Sequence, residues 1–521
     1  MSTNCDSKYS NDDNLPVEDY DTLPVSDESD EESLQENQII FPGLILRDKY
    51  ILLKNIGSGN NAHVWMVFDI EKSQFYAMKI QDHECYHDGC REVAIVNKIT
   101  EYAGTNEYFN CINMLDYFVY EINNDTKYVC SVYDLFAGSI RLVLLTGIYK
   151  YGLPINVVKN ITRQLLKAVD TLHTKLQIIH TDIKPENILF KGVPDYHEKI
   201  MELFLRSGFC EKYNELVSTR PSENSEDEEQ EKKFYDSLDE LAQQSVQEIC
   251  ALDDCLNGDE ELIPDSDDED DESYIDDDDN DNYVESDYSS ENEYDEYNEL
   301  NKKYNERNQS VDDIQEHLDY KDIHNLDEEY DFTKVLNNKA GSSDKEEVID
   351  NKYIKNCEIA LIDFGNSYFF SKRTRNEIQD RRYRAPEVIL DLNYSYGCDV
   401  WSVACVVFEL LTGFTLFDPE RNPLNQDIHH LYMLEKFLGP IPLSMKKKSK
   451  RRKFLFDKSR NYHIKNISEF ESIPLKQRLV KEFLFTEKEA EEINDFLLQG
   501  LQIDPDNRST AKDMLNHHWL N

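Results

Sequence analysis

The stretch that decides the fold is the octet HTDIKPEN at residues 180–187, followed much later by DFG at residues 363–365. Asp182 can accept the proton of an attacking hydroxyl group, since a carboxylate within reach of that proton acts as a general base. Lys184, two residues further on, can neutralise the charge of a transferred phosphoryl group. The octet therefore predicts Asp182 and Lys184 as catalytic residues.

The same two stretches predict a metal site. Asn187 and Asp363 offer hard oxygen atoms, the ligands that Mg²⁺ prefers. This octet with a downstream DFG is highly specific for protein kinases, in which these positions hold the magnesium that accompanies ATP. We therefore expect ATP and Mg²⁺ as cofactors, with Asn187 and Asp363 as the metal ligands.

A glycine-rich hairpin, GSG at residues 57–59, lies between two stretches of β-forming residues. Its backbone N–H groups can approach phosphates. Ala62 stands where a third glycine would complete the pattern, so a plain hairpin turn is the alternative. Lys79 can reach phosphate oxygens as a point charge, and Glu92 can hold it in place. We therefore predict Lys79 and Glu92 as catalytic residues. The alternative is that they form only an ion pair at the surface.

The adenine edge is predicted to meet a hinge at residues 133–136, through the carbonyl of Asp134 and the N–H of Phe136. With the hairpin and the strands beside it, this hinge completes the predicted nucleotide-binding set: Ile56, Gly57, Ser58, Gly59, Val64, Ala77, Lys79, Asp134 and Phe136.

The composition excludes one class of function. The 521 residues include 56 basic and 105 acidic side chains, a net charge of −49. This balance argues against a protein that binds nucleic acid through a basic face. Residues 1–40 carry 12 acidic and one basic side chain, and residues 191–356 carry 53 and 16. The excess charge is therefore confined to two segments, which cannot bury enough apolar surface to offset their ordering entropy.

We therefore interpret residues 1–40 and most of 210–350 as disordered. The start of the inserted segment, Asp195 to Phe209, has apolar residues at helical spacing and predicts one anchoring helix. The strands on either side of the insert, 188–190 and 358–362, should pair with each other. The insert then replaces a turn, at a loop-closure cost of only about 3 kcal/mol.

Apolar periodicity elsewhere predicts a mixed α+β fold. The predicted strands are Tyr50–Ile56, Val64–Asp69 and Phe75–Ile80, and the predicted helices are Arg91–Thr100, Ile155–Lys175 and Val400–Leu411. We predict that the last helix is buried in the protein rather than membrane-spanning, because it is short and contains Glu409.

No run of 18 apolar residues and no signal-peptide pattern is present, and the 11 cysteines form no disulfide framework. We expect an intracellular protein of the cytoplasm, the nucleus or both, without membrane contact.

Three stretches carry a resemblance to a known family: residues 152–187, from GLP to the octet, IQDRRYR at 378–384, and DFLL at 495–498. Together they closely resemble the SR-protein kinases of the CMGC group, which also carry a long insert before DFG. LYMLEK at 431–436 and GPIP at 439–442 are similar to the LAMMER-motif relatives.

This resemblance implies a two-lobe kinase fold and the following domains: an acidic disordered tail (1–40), the N-lobe and hinge (41–136), the first part of the C-lobe (137–190), the acidic, largely disordered insert (191–356) and the second part of the C-lobe (357–521). It also implies a monomeric serine/threonine kinase that acts on Arg/Ser-rich proteins and does not bind nucleic acid directly. Glu387 is expected to pair with Arg508, and Asp399 to brace the catalytic loop.

Thr181 stands where many kinases have an arginine that binds a phosphorylated activation loop. A phosphate on Tyr368, Ser371 or Thr374 would therefore lack this arginine as a partner, and phosphorylation would order the activation loop less. We hypothesise that the enzyme is active without activation-loop phosphorylation.

Other positions also depart from the family. Asp380 replaces a Thr or Ser and could pair with Lys184, although it adds a like charge near Asp182. The family's acidic docking positions become His429 and Lys436 here, with Asp427 and Glu435 beside them.

The basic run at residues 446–453 is by default a solvated loop. The alternatives are a nuclear import signal and a docking site for the acidic insert.

The competing function for the whole protein is a catalytically weak kinase-fold scaffold whose polyanionic insert binds basic proteins.

Overall fold

The computed structural model describes residues 40–257 and 354–521, apart from 60, 106–108, 123–125, 146–148, 219, 221–227, 355, 373–376, 420–425 and 468–469. The predictions for residues 1–39, for residues 258–353 and for Thr374 as a phosphate acceptor lie outside this part of the chain.

The N-lobe is built on a six-stranded antiparallel sheet with the order β1-β2-β3-β4-β6-β5. The three predicted strands are confirmed, and each is one to two residues longer at one or both ends. The strands are β1 (Ile45–Leu46), β2 (Tyr50–Ser58), β3 (Ala62–Asp69), β4 (Gln74–Gln81), β5 (Met114–Glu121) and β6 (Lys127–Tyr133). Helix α1, Tyr86–Thr105, contacts β5 and β6 and begins earlier than predicted.

A three-stranded sheet joins the hinge to the C-lobe in the order β10-β9-β7. Its strands are β7 (Phe136–Ser139), β9 (Ile188–Lys191) and β10 (Ile359–Leu361). The antiparallel register of Ile359 with Phe190, and of Leu361 with Ile188, confirms that the insert replaces a turn. Two short strands, β8 (Ile178–Ile179) and β11 (Tyr368–Phe369), pair beside this sheet.

The C-lobe is mostly helical. Helix α8, Gly397–Thr412, is buried along almost its whole length, which confirms the buried helix predicted for Val400–Leu411. The lobe contains α2 (Ile140–Leu145), α3 (Ile155–Thr171, followed by a π-helical turn), α7 (Pro386–Ile389), α8 (Gly397–Thr412), α9 (Gln426–Leu438), α10 (Leu443–Lys448), α11 (Arg452–Leu455), α12 (Leu475–Lys481), α13 (Glu487–Gly500), α14 (Ala511–Leu515) and the hairpin of β12 (Phe456–Asp457) and β13 (His463–Ile464).

The described part of the insert contains more helix than the sequence predicts, while the interpretation of most of residues 210–350 as disordered stays a prediction. Besides the expected helix α4 (Asp195–Arg206), this part forms α5 (Phe209–Ser218) and α6 (Glu228–Asn257). Together the three helices bury one apolar cluster against β2 and β3 of the N-lobe. The rings of Phe204 and Phe68 lie 4.8 Å apart within it. The sequence prediction missed α6, because acidic residues surround the apolar residues on its buried face. These apolar residues are Phe234, Leu238, Leu241, Ala242, Val246 and Ile249.

Within the residues that the structure describes, no helix has the length and apolar character needed to cross a bilayer.

Candidate active site

Three distant residues meet between the lobes. The ammonium group of Lys79 on β4 donates to both carboxylate oxygens of Glu92 on α1, at 2.8 Å each. It also donates to Oδ1 of Asp363 at 3.2 Å, across 284 positions of sequence. Because Glu92 is buried, the alternative of a mere surface ion pair is wrong.

The opposite charges of Lys79 and Asp363 stabilise the ionised forms of both side chains. Burial disfavours the ammonium form of Lys79, but Glu92 and Asp363 outweigh that effect and raise the pKa of Lys79 above its ordinary value. Burial likewise acts against the carboxylate of Asp363, yet Lys79, His180 and Lys184 hold its pKa below the ordinary range. Lysine and carboxylate are therefore both ionised at neutral pH, the state that phosphate and metal binding require.

Asp182 and Lys184, two of the predicted catalytic residues, lie together in the loop after β8. Lys184 Nζ donates to Asp182 Oδ2 at 2.9 Å. The side-chain amide of Asn187 donates to the carbonyl of Asp182 at 2.8 Å and to its Oδ2 at 3.2 Å. These bonds fix the orientation of the carboxylate that would receive the substrate proton.

The predicted metal ligands fit Mg²⁺. Because Asn187 uses its NH₂ group on Asp182, its carbonyl oxygen is directed away from that contact. Asp363 bonds to Lys79 through one oxygen only, and its side chain is 37 % exposed. The backbone carbonyl of Asn187 accepts the N–H of Ile362, which brings both ligands to one edge of the cleft. Two hard oxygen atoms are thus available at this edge.

A fully buried carboxylate braces the catalytic loop, as expected. Asp399 accepts the backbone N–H groups of His180 and Thr181 at 2.8 and 2.9 Å, and His173 Nε2 lies 2.8 Å away. Burial opposes its ionisation, but the bond to His173 keeps the pKa of Asp399 below its ordinary value. Thr181 has a left-handed φ of 67°. A non-glycine residue in that region carries strain that the surroundings must offset, and these bonds do so.

The activation segment is tied to the catalytic loop without phosphate. Thr181 Oγ1 donates to the carbonyl of Asn366 at 2.6 Å, and Ser367 Oγ donates to the carbonyl of His180 at 3.0 Å. Arg91 of α1 donates to the carbonyl of Gly365 at 2.9 Å. The roles of Ser367 and Arg91 were not predicted, because no sequence pattern marks a side chain that bonds to a distant carbonyl.

Asp380 bonds directly to Arg382, and its suggested pairing with Lys184 takes the form of an electrostatic interaction without a direct bond. Oδ1 of Asp380 accepts hydrogen bonds from the backbone N–H of Arg382 at 3.0 Å and from the side-chain Nε of Arg382 at 3.2 Å. Burial opposes the charge, but Arg382 holds the pKa of Asp380 below its ordinary value. Asp380 therefore caps the turn of residues 381–383. It also lines a cavity of about 250 Å³ with Asp182 and Lys184, where a substrate hydroxyl could enter.

The strand register brings the predicted nucleotide-binding residues together. Val64 pairs with Gly57 on one side and with Lys79 on the other, while Ala77 pairs with Tyr133 at the end of β6. Asp134 follows that strand, and Phe136 begins β7 instead of ending the hinge. The contacts of Asp134 and Phe136 with adenine remain a prediction.

The basic run is largely folded, which makes the solvated-loop interpretation wrong for its anchoring residues. Lys446 is buried and lies 2.7 Å from Glu435, and Arg451 lies 2.6 Å from Asp427. Asp427 also pairs with Arg381. The acidic side chains beside the predicted docking positions are therefore bonded to cations of the chain itself.

Comparison with known proteins agrees with this geometry. A profile for the protein kinase domain matches residues 50–221 and 348–520. The chain is 57 % identical to a chain of Acanthamoeba polyphaga mimivirus named "Putative serine/threonine-protein kinase L205", covering 96 % of this chain and 93 % of the other. It is 28 % identical to protein kinase dsk1 of Schizosaccharomyces pombe (91 % and 80 %) and 24 % identical to SRSF protein kinase 3 of Mus musculus (92 % and 87 %).

The fold has a counterpart among solved structures. A kinase-domain crystal structure superposes with a TM-score of 0.53 at 19 % identity, covering 92 % of this chain and 98 % of the other. The profile match is interrupted by the insert between β9 and β10, where the resemblance predicted it. The chain therefore belongs to the protein kinase family, as a serine/threonine kinase of the SR-protein-kinase branch.

Proposed function

We propose that this chain transfers the γ-phosphoryl group of ATP to serine and threonine hydroxyls of Arg/Ser-rich proteins. The observation that carries the proposal is the bond of Lys79 to both Glu92 and Asp363. It aligns a phosphate-binding cation with a metal ligand, as phosphoryl transfer requires.

Each residue then has one task. Lys79 holds phosphate oxygens of ATP, Asp182 takes the proton of the attacking hydroxyl, and Lys184 offsets charge on the transferred group. Asn187 and Asp363 would hold Mg²⁺, which supplies charge neutralisation along the phosphates when bound. Because the protein itself forms no covalent bond to the transferred group, positioning and electrostatics account for the catalysis.

The substrate class is supported by the relatives, one of which is named SRSF protein kinase 3. The cavity beside Asp182 adds nothing to this support, because Lys184, Arg384 and Arg382 already pair with its carboxylates, which would otherwise favour a cationic segment: Asp182, Glu377 and Asp380. Asp427 and Glu435 do not serve this purpose in the described arrangement, since Arg451 and Lys446 already neutralise them.

A peptide series tests the substrate class. We expect kcat/KM for Arg-Ser repeats to exceed that for Ser-Pro and acidic serine peptides by about tenfold or more, the equivalent of about 1.4 kcal/mol of transition-state binding. Peptides of equal length and serine count serve as the matched set. Preference for the Ser-Pro or acidic peptides would contradict the assignment.

The proposed kinase works without activation-loop phosphorylation, because the bonds of Thr181, Ser367 and Arg91 replace a phosphate–arginine contact. Protein made in a kinase-free expression system, and shown by mass spectrometry to be unphosphorylated, should turn over within about twofold of phosphorylated protein. Asp182→Asn protein supplies the background. Activity that appears only after phosphorylation would contradict this mechanism.

We further propose a monomer in the cytoplasm, the nucleus or both, without direct nucleic-acid binding. The net charge of −49 disfavours contact with phosphate backbones. The nine cysteines whose side chains the structure describes are all free thiols, which fits a reducing compartment.

A further inference from the structure

The glycine-rich hairpin contains an irregularity. Asn55 on β2 pairs with Trp65 on β3, but the next pair is Gly57 with Val64, so Ile56 is an extra residue in the ladder. A β-bulge of this kind disrupts the local hydrogen-bond ladder and bends the strand. Here the N–H of Gly57 donates to the side chain of its own strand neighbour, Asn55 Oδ1, at 3.0 Å.

Two more side chains extend this contact across the hairpin. Ser58 Oγ donates to the same oxygen of Asn55 at 3.3 Å, and His63 Nδ1 lies 3.1 Å from Ser58 Oγ. Ser58 and His63 are direct partners on opposite strands. The amide nitrogen of Asn55 lies 3.4 Å from the same ring nitrogen of His63. The carboxamide of Asn55 is therefore the centre of a polar network that joins both arms of the hairpin.

This network lies close to the phosphate-binding lysine. Val64 follows His63 on β3 and pairs with both Gly57 and Lys79. The turn itself is closed by the N–H of Gly59, which donates to the carbonyl of Ala62 at 2.9 Å. A shift at the bulge would thus move the backbone of the hairpin relative to Lys79.

We propose that Asn55 is a positioning residue for ATP, which uses its carboxamide, Ser58 and His63 to hold the glycine-rich hairpin over the phosphates. Glycine-rich segments lose much backbone freedom when they bind a ligand. Ordering the segment beforehand reduces that loss and strengthens binding. Asn55 contacts no part of ATP in this role, and the inference rests on the proposed function as an ATP-dependent kinase.

The test compares ATP with adenosine, which lacks phosphates. In Asn55→Ala protein, we expect the Kd for Mg²⁺-ATP to rise about fivefold to tenfold, the equivalent of one net hydrogen bond. The Kd for adenosine should not change, because adenosine lacks the phosphates over which the hairpin is proposed to be held. In steady-state assays KM for ATP should rise by the same factor, with kcat within about twofold.

Gln74→Ala is the matched control, because Gln74 lies on the same sheet and also accepts a side-chain hydrogen bond, from Tyr76, outside the site. Ser58→Ala removes the exposed bridging hydroxyl and should raise the Kd for ATP about twofold to threefold, even if Asn55→Ala protein folds poorly. Unchanged ATP affinity in both variants would overturn the inference, as would an equal loss of ATP and adenosine affinity. Wild-type protein that binds no ATP would overturn the proposed function as well.

Discussion

Asp363→Ala protein is expected to lose phosphoryl transfer by about 10³-fold or more in kcat/KM. The substitution removes a predicted Mg²⁺ ligand and one of the two carboxylates that hold Lys79. The fold should survive, because the side chain is 37 % exposed and Lys79 keeps both bonds to Glu92. Initial rates across Mg²⁺ concentrations measure the loss, and thermal unfolding checks the fold.

The control for this change is Asp170→Ala, which removes a half-buried carboxylate from α3 and should leave the rate within about twofold. The same protein separates the enzyme from the scaffold hypothesis. A scaffold would lose nothing with Asp363, because salt-sensitive binding of basic proteins through acidic residues needs no metal ligand. Asp363→Ala protein that retains a tenth of the wild-type rate would contradict the assigned role.

Arg508→Met is expected to destabilise the fold by about 3–5 kcal/mol. Arg508 donates to both oxygens of Glu387 at 2.7 and 2.9 Å, and the two side chains are essentially inaccessible. Without the guanidinium, Glu387 would be left as a buried charge without its cation. Urea unfolding, with the midpoint and slope fitted together, measures the free energy of unfolding.

Two further variants show that the effect belongs to this pair. Lys488→Ala breaks an exposed ion pair with Glu492 on α13 and should cost less than about 0.5 kcal/mol. The double change Arg508→Met with Glu387→Gln should recover part of the loss, because no buried charge remains. A loss below about 1 kcal/mol for Arg508→Met alone would contradict the structural role of the pair.

The sequence predicted those parts of the site whose chemistry restricts residue choice. Carboxylate and amide oxygens suit Mg²⁺, and a carboxylate suits a general base, so Asp182, Asn187 and Asp363 were recognisable in HTDIKPEN and DFG. The pairing of Lys79 with Glu92 also followed, since a buried phosphate-binding lysine needs a partner.

Contacts that depend on tertiary position could not be predicted in the same way. The bond of Thr181 to Asn366 joins a side chain to a carbonyl that any residue could supply. Asp380 forms its hydrogen bonds within its own turn, because Arg382 offers two donors there, the backbone N–H and the side-chain Nε. Lys184 meanwhile bonds to Asp182, which lies closer to it.

The insert shows where composition misleads. Its average charge predicts disorder, yet α6 carries an apolar stripe that packs on β2 and β3. Average hydrophobicity decides whether a whole segment can fold alone, while a stripe decides whether one helix can dock on an existing sheet. Scoring periodicity within the acidic segment would have found α6.

The most direct test of the account is a single-turnover transfer from γ-labelled ATP to a serine-bearing Arg-rich peptide, using purified unphosphorylated wild-type protein. We expect label on serine that depends on Mg²⁺ and on the carboxylate of Asp182. Protein that binds Mg²⁺-ATP but transfers no label, or that transfers it equally well as Asp182→Asn, would contradict the account.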